Sequence, residues 1–207
     1  MFLDRLVGSP ADDDRPLFDQ VCAESTEPTA GLVTHLAGLG HRRIGLVAGL
    51  PGLSTTTERI TGYRHGLAAA GLPYDERILV HGDSEAAGAE RATAELLRLG
   101  SRPTALVTAN NAMTIGALRA LRAHGLSVPG DIALCCFDDF AWADLFSPVS
   151  PPCPSRAGTS ARGPCRCCWT VSPTPVPTRT ERLPCTFVHR TSCGCPEERN
   201  PRDRRCR

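Results

Sequence analysis

Apolar positions in residues 1–149 come in short runs that alternate with stretches of helical spacing. "FLDRLV" (2–7) reads as a short strand. "TAGLVTHLAGLG" (29–40) carries apolar side chains at helical intervals and stops at Gly40. "RIGLVAG" (43–49) is β-rich without polar alternation, the pattern of a strand covered on both faces. "STTTERITGYRHGLAAAG" (54–71) predicts a helix with Ser54 as N-cap and Gly71 as terminator. "RILVHGD" (77–83) predicts the next strand and "SEAAGAERATAELLRLG" (84–100) the next helix. "TALVTAN" (104–110), "NAMTIGALRALRAHG" (111–125) and "DIALCCFDD" (131–139) complete strand, helix and strand.

Four of these helices end at Gly, the residue that tolerates the left-handed position past a helix. Strand–helix alternation with such short links forces parallel strands and right-handed crossovers. The fold class is α/β: a doubly wound parallel sheet. Ligands in such sheets sit beyond the carboxyl ends of the strands. That rule points after Gly49, at Asn110–Asn111 and at Asp138–Asp139.

The pattern breaks down after residue 149. From Ser150 to Arg182 there is no Leu, Ile, Met, Phe or Tyr, and Pro, Arg, Cys, Ser and Thr dominate. So few apolar residues cannot offset the entropy of ordering, so a disordered Pro/Arg/Cys-rich region is expected. A strand-like "TFVHR" returns within "RLPCTFVHRTSCGCP" (182–196). Charge changes at the same place: residues 1–150 hold 12 Arg and 18 Asp+Glu, residues 151–207 hold 11 Arg and 4 Asp+Glu. Every basic residue is Arg, which points to a GC-rich genome. No apolar run reaches the length of a membrane span, and "MFLDRLVGSPADDD" has no signal-peptide pattern. A cytoplasmic location without structural disulfides is expected.

"LGHRRIGLVAG" (39–49), "RITGYRHGLAAAGLP" (59–73), "PTALVTANNAMTIGALRALRAHGLSVPGDIAL" (103–134) and "FDDF" (137–140) together resemble the effector domain of lactose-repressor-type (LacI/GalR) transcription regulators. "RLPCTFVHRTSCGCP" resembles the usual end of these chains. The resemblance implies periplasmic-binding-protein-like subdomains that close on a small ligand, often a sugar. It also implies a DNA-reading helix-turn-helix domain and a homodimer. Nothing that resembles the DNA-reading helices precedes "FLDRLV", so a truncated product without operator binding is expected. Residues 1–28 are assigned to a remnant of the N-terminal subdomain and 29–149 to the effector-binding C-terminal subdomain. Residues 179–196 are the family-like terminal strand and 197–207 a basic tail.

Residues 150–178 stand where the family has a crossover strand and a Leu-rich helix. Joining the last base of each codon to the first two of the next turns the run Cys167-Cys168-Trp169 into Leu, Leu and Asp at Cys168, Trp169 and Thr170. The whole window then permits "LTTVSVPRRDVGARAVSVLLDRLADPRPD". The segment is therefore assigned as a frame-slipped, disordered stretch. The rival for "CRCCW" is zinc, alone or with Cys193 and Cys195. Structural zinc sites use C-x₂₋₄-C pairs, and Cys165, Cys167 and Cys168 are spaced more tightly, so no metal or other cofactor is assigned.

Within the resemblance, the family's ligand-contacting Arg falls on Arg59, in "R-x-x-G-Y". A guanidinium there can pair with ligand oxygens; the alternative is a solvated helix Arg paired with Glu58 or Glu27. Asn110 can donate to and accept from a sugar hydroxyl, or cap a helix, or both. The family usually shows Ala-Asn-Asp where this chain has Ala109-Asn110-Asn111, so the carboxylate is missing at Asn111. The family's ligand Asp falls on Asp138, whose alternative is capping the next turn. Phe137, Phe140 and Trp142 can stack on a sugar face, although packing is the commoner fate of aromatics, and Phe140 is the best placed of the three. Cys135 and Cys136 face opposite sides of a strand as filler, and His35, His41 and His65 read as surface or capping residues.

The function expected is the ligand-sensing part of such a regulator, with a small sugar-like effector, no enzymatic activity and no membrane partner. With one cleft wall largely missing, affinity is expected to be weak and the product partial or non-functional. Two alternatives remain: a nucleotide-cofactor enzyme, whose G-x-G-x-x-G turn "GLPGLS" does not supply, and an exported solute-binding protein.

Overall fold

The computed structural model describes residues 2–3, 20–138, 180–187 and 191–195. Residues 139–179, with Phe140, Trp142 and the segment assigned as frame-slipped, lie outside the described residues, as do most of "FLDRLV" and the basic tail.

Two parallel sheets are present. The larger has four strands in the order β4-β3-β5-β6: β3 (Ile44–Ala48), β4 (Leu79–His81), β5 (Ala105–Thr108) and β6 (Ala133–Cys136). Its helices are α1 (Thr26–Gly38), α2 (Ser54–Ala69), α3 (Ala86–Leu97) and α4 (Asn111–Ala123). The smaller sheet joins β1 (Phe2–Leu3), β2 (Gln20–Ala23) and β7 (Thr180–Leu183).

The period-two geometry of the strands feeds two separate cores. Ile44, Leu46, Ala48, Ala105, Val107, Ala133 and Cys135 point to one face, where Leu32, Val33 and Leu36 of α1 and Tyr63 and Leu67 of α2 cover them. Val47, Leu106 and Leu134 point to the other, against Ala89 and Leu96 of α3 and Met113 and Leu121 of α4. All five residues of β3 are buried, as its unbroken apolar run requires.

Each helix pair is closely packed because glycines stand at the crossings. A Cβ on Gly62 of α2 would lie 2.2 Å from the Thr26 carbonyl oxygen of α1, and one on Gly116 of α4 would lie 2.1 Å from that of Ala86 in α3. Tyr63, fully buried beside the first crossing, donates its hydroxyl to the Ile44 carbonyl at 2.7 Å. Burial pushes that phenol well above its ordinary range.

Several expectations need correction. Helix α1 begins at Thr26, with Pro28 in its first turn where a missing N–H costs nothing; the Thr26 amide donates to Glu24 Oε1 at 2.9 Å. The N-cap of α2 is Leu53, not Ser54, and no side chain caps it. Gly40, Gly71 and Gly125 take positive φ as expected, whereas Gly100 does not. Of the expected strand "TFVHR", Thr186 and Phe187 carry no strand and residues 188–190 lie outside the described residues; the strand described in this part of the chain is Thr180–Leu183. β7 has an exposed "TERL" sequence, and backbone pairing to β2, Gln20↔Thr180 through Ala23↔Leu183, holds it in place.

Candidate functional site

In the larger sheet, β3 connects outward to β4 and the chain then returns over β3 to β5. The strand order reverses between β3 and β5, and the carboxyl ends of these two strands flank the crevice that a doubly wound sheet offers a ligand. Four segments converge there: Gly49–Leu53 after β3, Gly82–Ser84 after β4, Ala109–Asn110 after β5, and Phe137–Asp138 after β6.

Arg59 reaches this crevice from α2. It is buried, at 8% exposure, and its Nη1 donates to the Ala109 carbonyl. Its guanidinium carbon stands 3.8 Å from the centre of the Phe137 ring. The solvated pairing with Glu58 or Glu27 is therefore not what the fold selects. Glu58 instead accepts from Arg182 Nη2 of β7 at 2.7 Å, and Arg182 Nη1 lies 3.8 Å from Glu24. A buried Arg clamped by a carbonyl and a ring face keeps its planar fork in one orientation, which suits recognition of ligand oxygens.

Asn110 caps α4. Its Oδ1 accepts from the Met113 amide at 2.7 Å, and its Nδ2 donates to the Ser84 carbonyl at 3.3 Å. The capping alternative is thus realised. Asp138 is half-buried and follows Phe137, so it stands next to the Arg59 platform in sequence. Phe140 lies outside the described residues, and the aromatic that meets Arg59 is Phe137.

The turn after β4 carried no recognisable sequence signal. Asp83 and Ser84 are consecutive non-glycine residues with φ of 54° and 61°. Such residues persist only where their surroundings hold them, and they concentrate at ligand-binding edges. Here the Leu50 amide donates to Ser84 Oγ at 3.0 Å, and His81 Nδ1 bonds the Gly49 carbonyl at 2.9 Å. Gly49 lets these loops meet: a Cβ there would stand 2.7 Å from Thr56 Oγ1 and 2.8 Å from Ser84 Oγ.

Cys135 and Cys136 face opposite sides, as expected of neighbours in a strand. Burial pushes both thiols upward, Cys136 to about 11 even though Thr114 donates to its sulfur at 2.9 Å. Both stay protonated at neutral pH, which suits filler. His35 departs from its expected surface or capping role: it is half-buried, with Cys195 Sγ 3.3 Å from its Nε2 and the Phe187 ring 5.1 Å from its own. Among the described residues, no helix is long and apolar enough to cross a membrane.

Residues 33–193 match the family described as a periplasmic binding protein-like domain. The HTH-type transcriptional regulator GalR of Escherichia coli (strain K12) is 37% identical over 105 residues, covering 51% of this chain and 31% of that protein. The HTH-type transcriptional regulator CelR of Thermobifida fusca is 39% identical over 109 residues, covering 53% of this chain and 32% of that protein. Among solved structures, the transcriptional regulator CelR in complex with cellobiose has a TM-score of 0.62 at 33% identity, covering 69% of this chain and 42% of that one. The matches to GalR and CelR span about a third of each regulator.

Proposed function

This chain belongs to the periplasmic binding protein-like domain family, and from that premise we propose that it is the ligand-sensing part of a LacI/GalR-type transcriptional regulator that takes a small sugar-like effector. The observation that carries this reading is the Arg59 clamp: a buried guanidinium fixed by Ala109 and Phe137 where the strand order reverses. A polyhydroxylated ligand needs fixed donors for its ring and hydroxyl oxygens, and Arg59 supplies them. It also needs acceptors for its hydroxyl protons, which the Asp138 carboxylate supplies. Asn110 has two amide N–H groups and two oxygen lone pairs. Among the described residues the cap and Ser84 use one of each, so Asn110 can both order the loop and meet a ligand hydroxyl. Phe140 follows two residues after Asp138 and is assigned to the sugar face.

The effector acts by binding one state of the crevice better than the other. Arg182 is placed to report that change. It joins the small sheet to Glu58 of α2, the residue next to Arg59. A ligand that draws on Arg59 acts one residue from the ion pair that ties α2 to β7.

The test is thermal denaturation of the purified chain with millimolar cellobiose, a panel of monosaccharides, or NAD. A ligand at 100 times its Kd adds about 2.7 kcal/mol to stability. At least one sugar is expected to raise Tm, with the rise abolished in Arg59→Ala. Stabilisation by NAD alone, or a sugar effect untouched by Arg59→Ala, overturns the reading.

A further inference from the structure

A second cluster stands apart from the crevice. His35 lies in the last turn of α1. Cys193 ends a short 3₁₀ turn, Thr191–Cys193, that packs on β6, and Cys195 follows two positions later. Gly194 between them has φ of 83°, a conformation glycine adopts readily. It reverses the chain so that both thiols reach the same histidine. Cys195 Sγ is 3.0 Å from Cys193 Sγ and 3.3 Å from His35 Nε2, and the three donor atoms all lie within 4.8 Å of one another. Cys193 is 3% exposed and sits in the apolar cluster with Leu36 and Cys135, while Cys195 and His35 are half-buried.

We propose that His35, Cys193 and Cys195 form a binding site for a soft divalent metal, of which Zn²⁺ is the type. The donor set carries the choice: two thiolates and an imidazole are the ligands this ion prefers, at about 2.3 Å for sulfur and 2.0–2.1 Å for nitrogen. Tetrahedral bonds of those lengths put the two sulfurs about 3.8 Å apart and a sulfur and the nitrogen about 3.5 Å apart. The observed separations of 3.0 and 3.3 Å reach that geometry when the side chains spread by less than an ångström. Three protein ligands leave a fourth position for water or a small exogenous ligand, on the side where Cys195 and His35 meet solvent. Binding deprotonates the thiols and releases their protons to buffer. The bound ion links the segment after β7 to α1, two parts of the chain that are far apart in sequence.

The rival binder is the stretch that holds Cys153, Cys165, Cys167 and Cys168, so the test separates the two. Reduced, metal-free full-length chain is titrated with Zn²⁺ against a chromophoric chelator, and with Co²⁺ to read thiolate-to-metal charge-transfer absorbance. A single tight equivalent is expected in the parent chain and in the Cys153→Ser/Cys165→Ser/Cys167→Ser/Cys168→Ser variant. Affinity is expected to fall at least about tenfold in His35→Gln and further in Cys193→Ser/Cys195→Ser, with the cobalt band lost in the latter. If buried Cys193 does not tolerate serine, Cys195→Ser and His35→Gln, at half-buried positions, carry the same test with circular dichroism as the control for folding. Tight binding that survives these changes, binding lost with the four-cysteine variant instead, or no tight equivalent in the parent chain overturns the proposal.

Discussion

Arg59 and Phe137 meet face to cation, the guanidinium carbon 3.8 Å from the ring centre, although one lies on α2 and the other past the end of β6. Such a contact contributes about 0.5–2 kcal/mol, rising as water is excluded. The Ala109 carbonyl accepts from the same guanidinium, so three elements fix one cation. Arg59→Lys keeps the charge but loses the planar fork. It is expected to weaken sugar binding about 10–100-fold, the equivalent of one or two charge-assisted hydrogen bonds. Phe137→Leu keeps apolar volume and removes the ring face, and it is expected to weaken binding less than Arg59→Lys does. Isothermal titration of the two variants with the sugar that stabilises the parent chain reads both effects; equal affinity in Arg59→Lys would show that the fork is not used.

Asn110 links two elements through one amide, capping α4 and holding Ser84. Asn110→Ala removes both bonds and is expected to cost about 1 kcal/mol or somewhat more. Asn110→Asp retains the acceptor for Met113 and places a negative charge at a helix N-terminus, which is favourable. It loses the donor to Ser84. Urea denaturation is therefore expected to rank parent and Asp variant close together and the Ala variant lowest. Local change at Ser84, read by amide exchange at Leu50 and Ser84, is expected in both variants.

The larger sheet was legible in the sequence because β3, β5 and most of β6 are buried and read as short apolar runs between stretches of helical length. Ile44–Ala48 and Ala105–Thr108 announce themselves by composition alone. β2 and β7 do not: "QVCA" is half-buried and "TERL" is mostly exposed, so their strand character comes from pairing across a long stretch of chain. The resemblance carried by "R-x-x-G-Y" singles out Arg59, but not its platform, because nothing local says that Phe137 turns toward α2. The Asp83–Ser84 turn was silent for the same reason. Its left-handed backbone is held by Leu50 and Asn110, which belong to other loops. His35 read as surface because its partners, Cys195 and Phe187, come from the far end of the chain.

Gly62 sets the distance between α1 and α2. An added Cβ would stand 2.2 Å from the Thr26 carbonyl oxygen and 2.9 Å from Thr29 Cβ, and the first of these is backbone that cannot rotate away. Gly62→Ala gains helix propensity of about 1 kcal/mol. The crossing opposes it, since forced overpacking costs about 1–3 kcal/mol or more. The net expectation is a lower Tm. Gly31, on α1 with nothing within 4 Å of its virtual Cβ, is the control: Gly31→Ala is expected to raise Tm. A rise in both would mean that α1 can move away from α2 without loss.

Asp75 gathers charge-assisted hydrogen bonds at the surface below β3. It accepts from Arg77 Nε and Nη2, each at 3.0 Å, and from the Arg77 amide at 3.0 Å, while Arg43 Nη2 lies 2.8 Å away. The Arg77 side chain, then Arg43 and the Arg77 amide, hold its carboxyl far below the usual carboxylate range. Asp131 is lowered in the same direction by the Ser127 hydroxyl and amide. The sign follows from which state binds protons. Below about pH 4 the unfolded chain takes up a proton at each Asp while the folded chain resists it. The contribution to stability is therefore fully present above about pH 4 and is lost as pH falls through the lowered folded values. Urea midpoints are expected to be flat with respect to these groups at neutral pH and to decline in acid. Asp75→Asn is expected to have a shallower acid decline and a slightly lower midpoint at pH 7. Both differences should shrink in high salt, because the pairs are partly exposed and screening weakens them. An acid decline unchanged in Asp75→Asn would assign the acid sensitivity to other carboxylates.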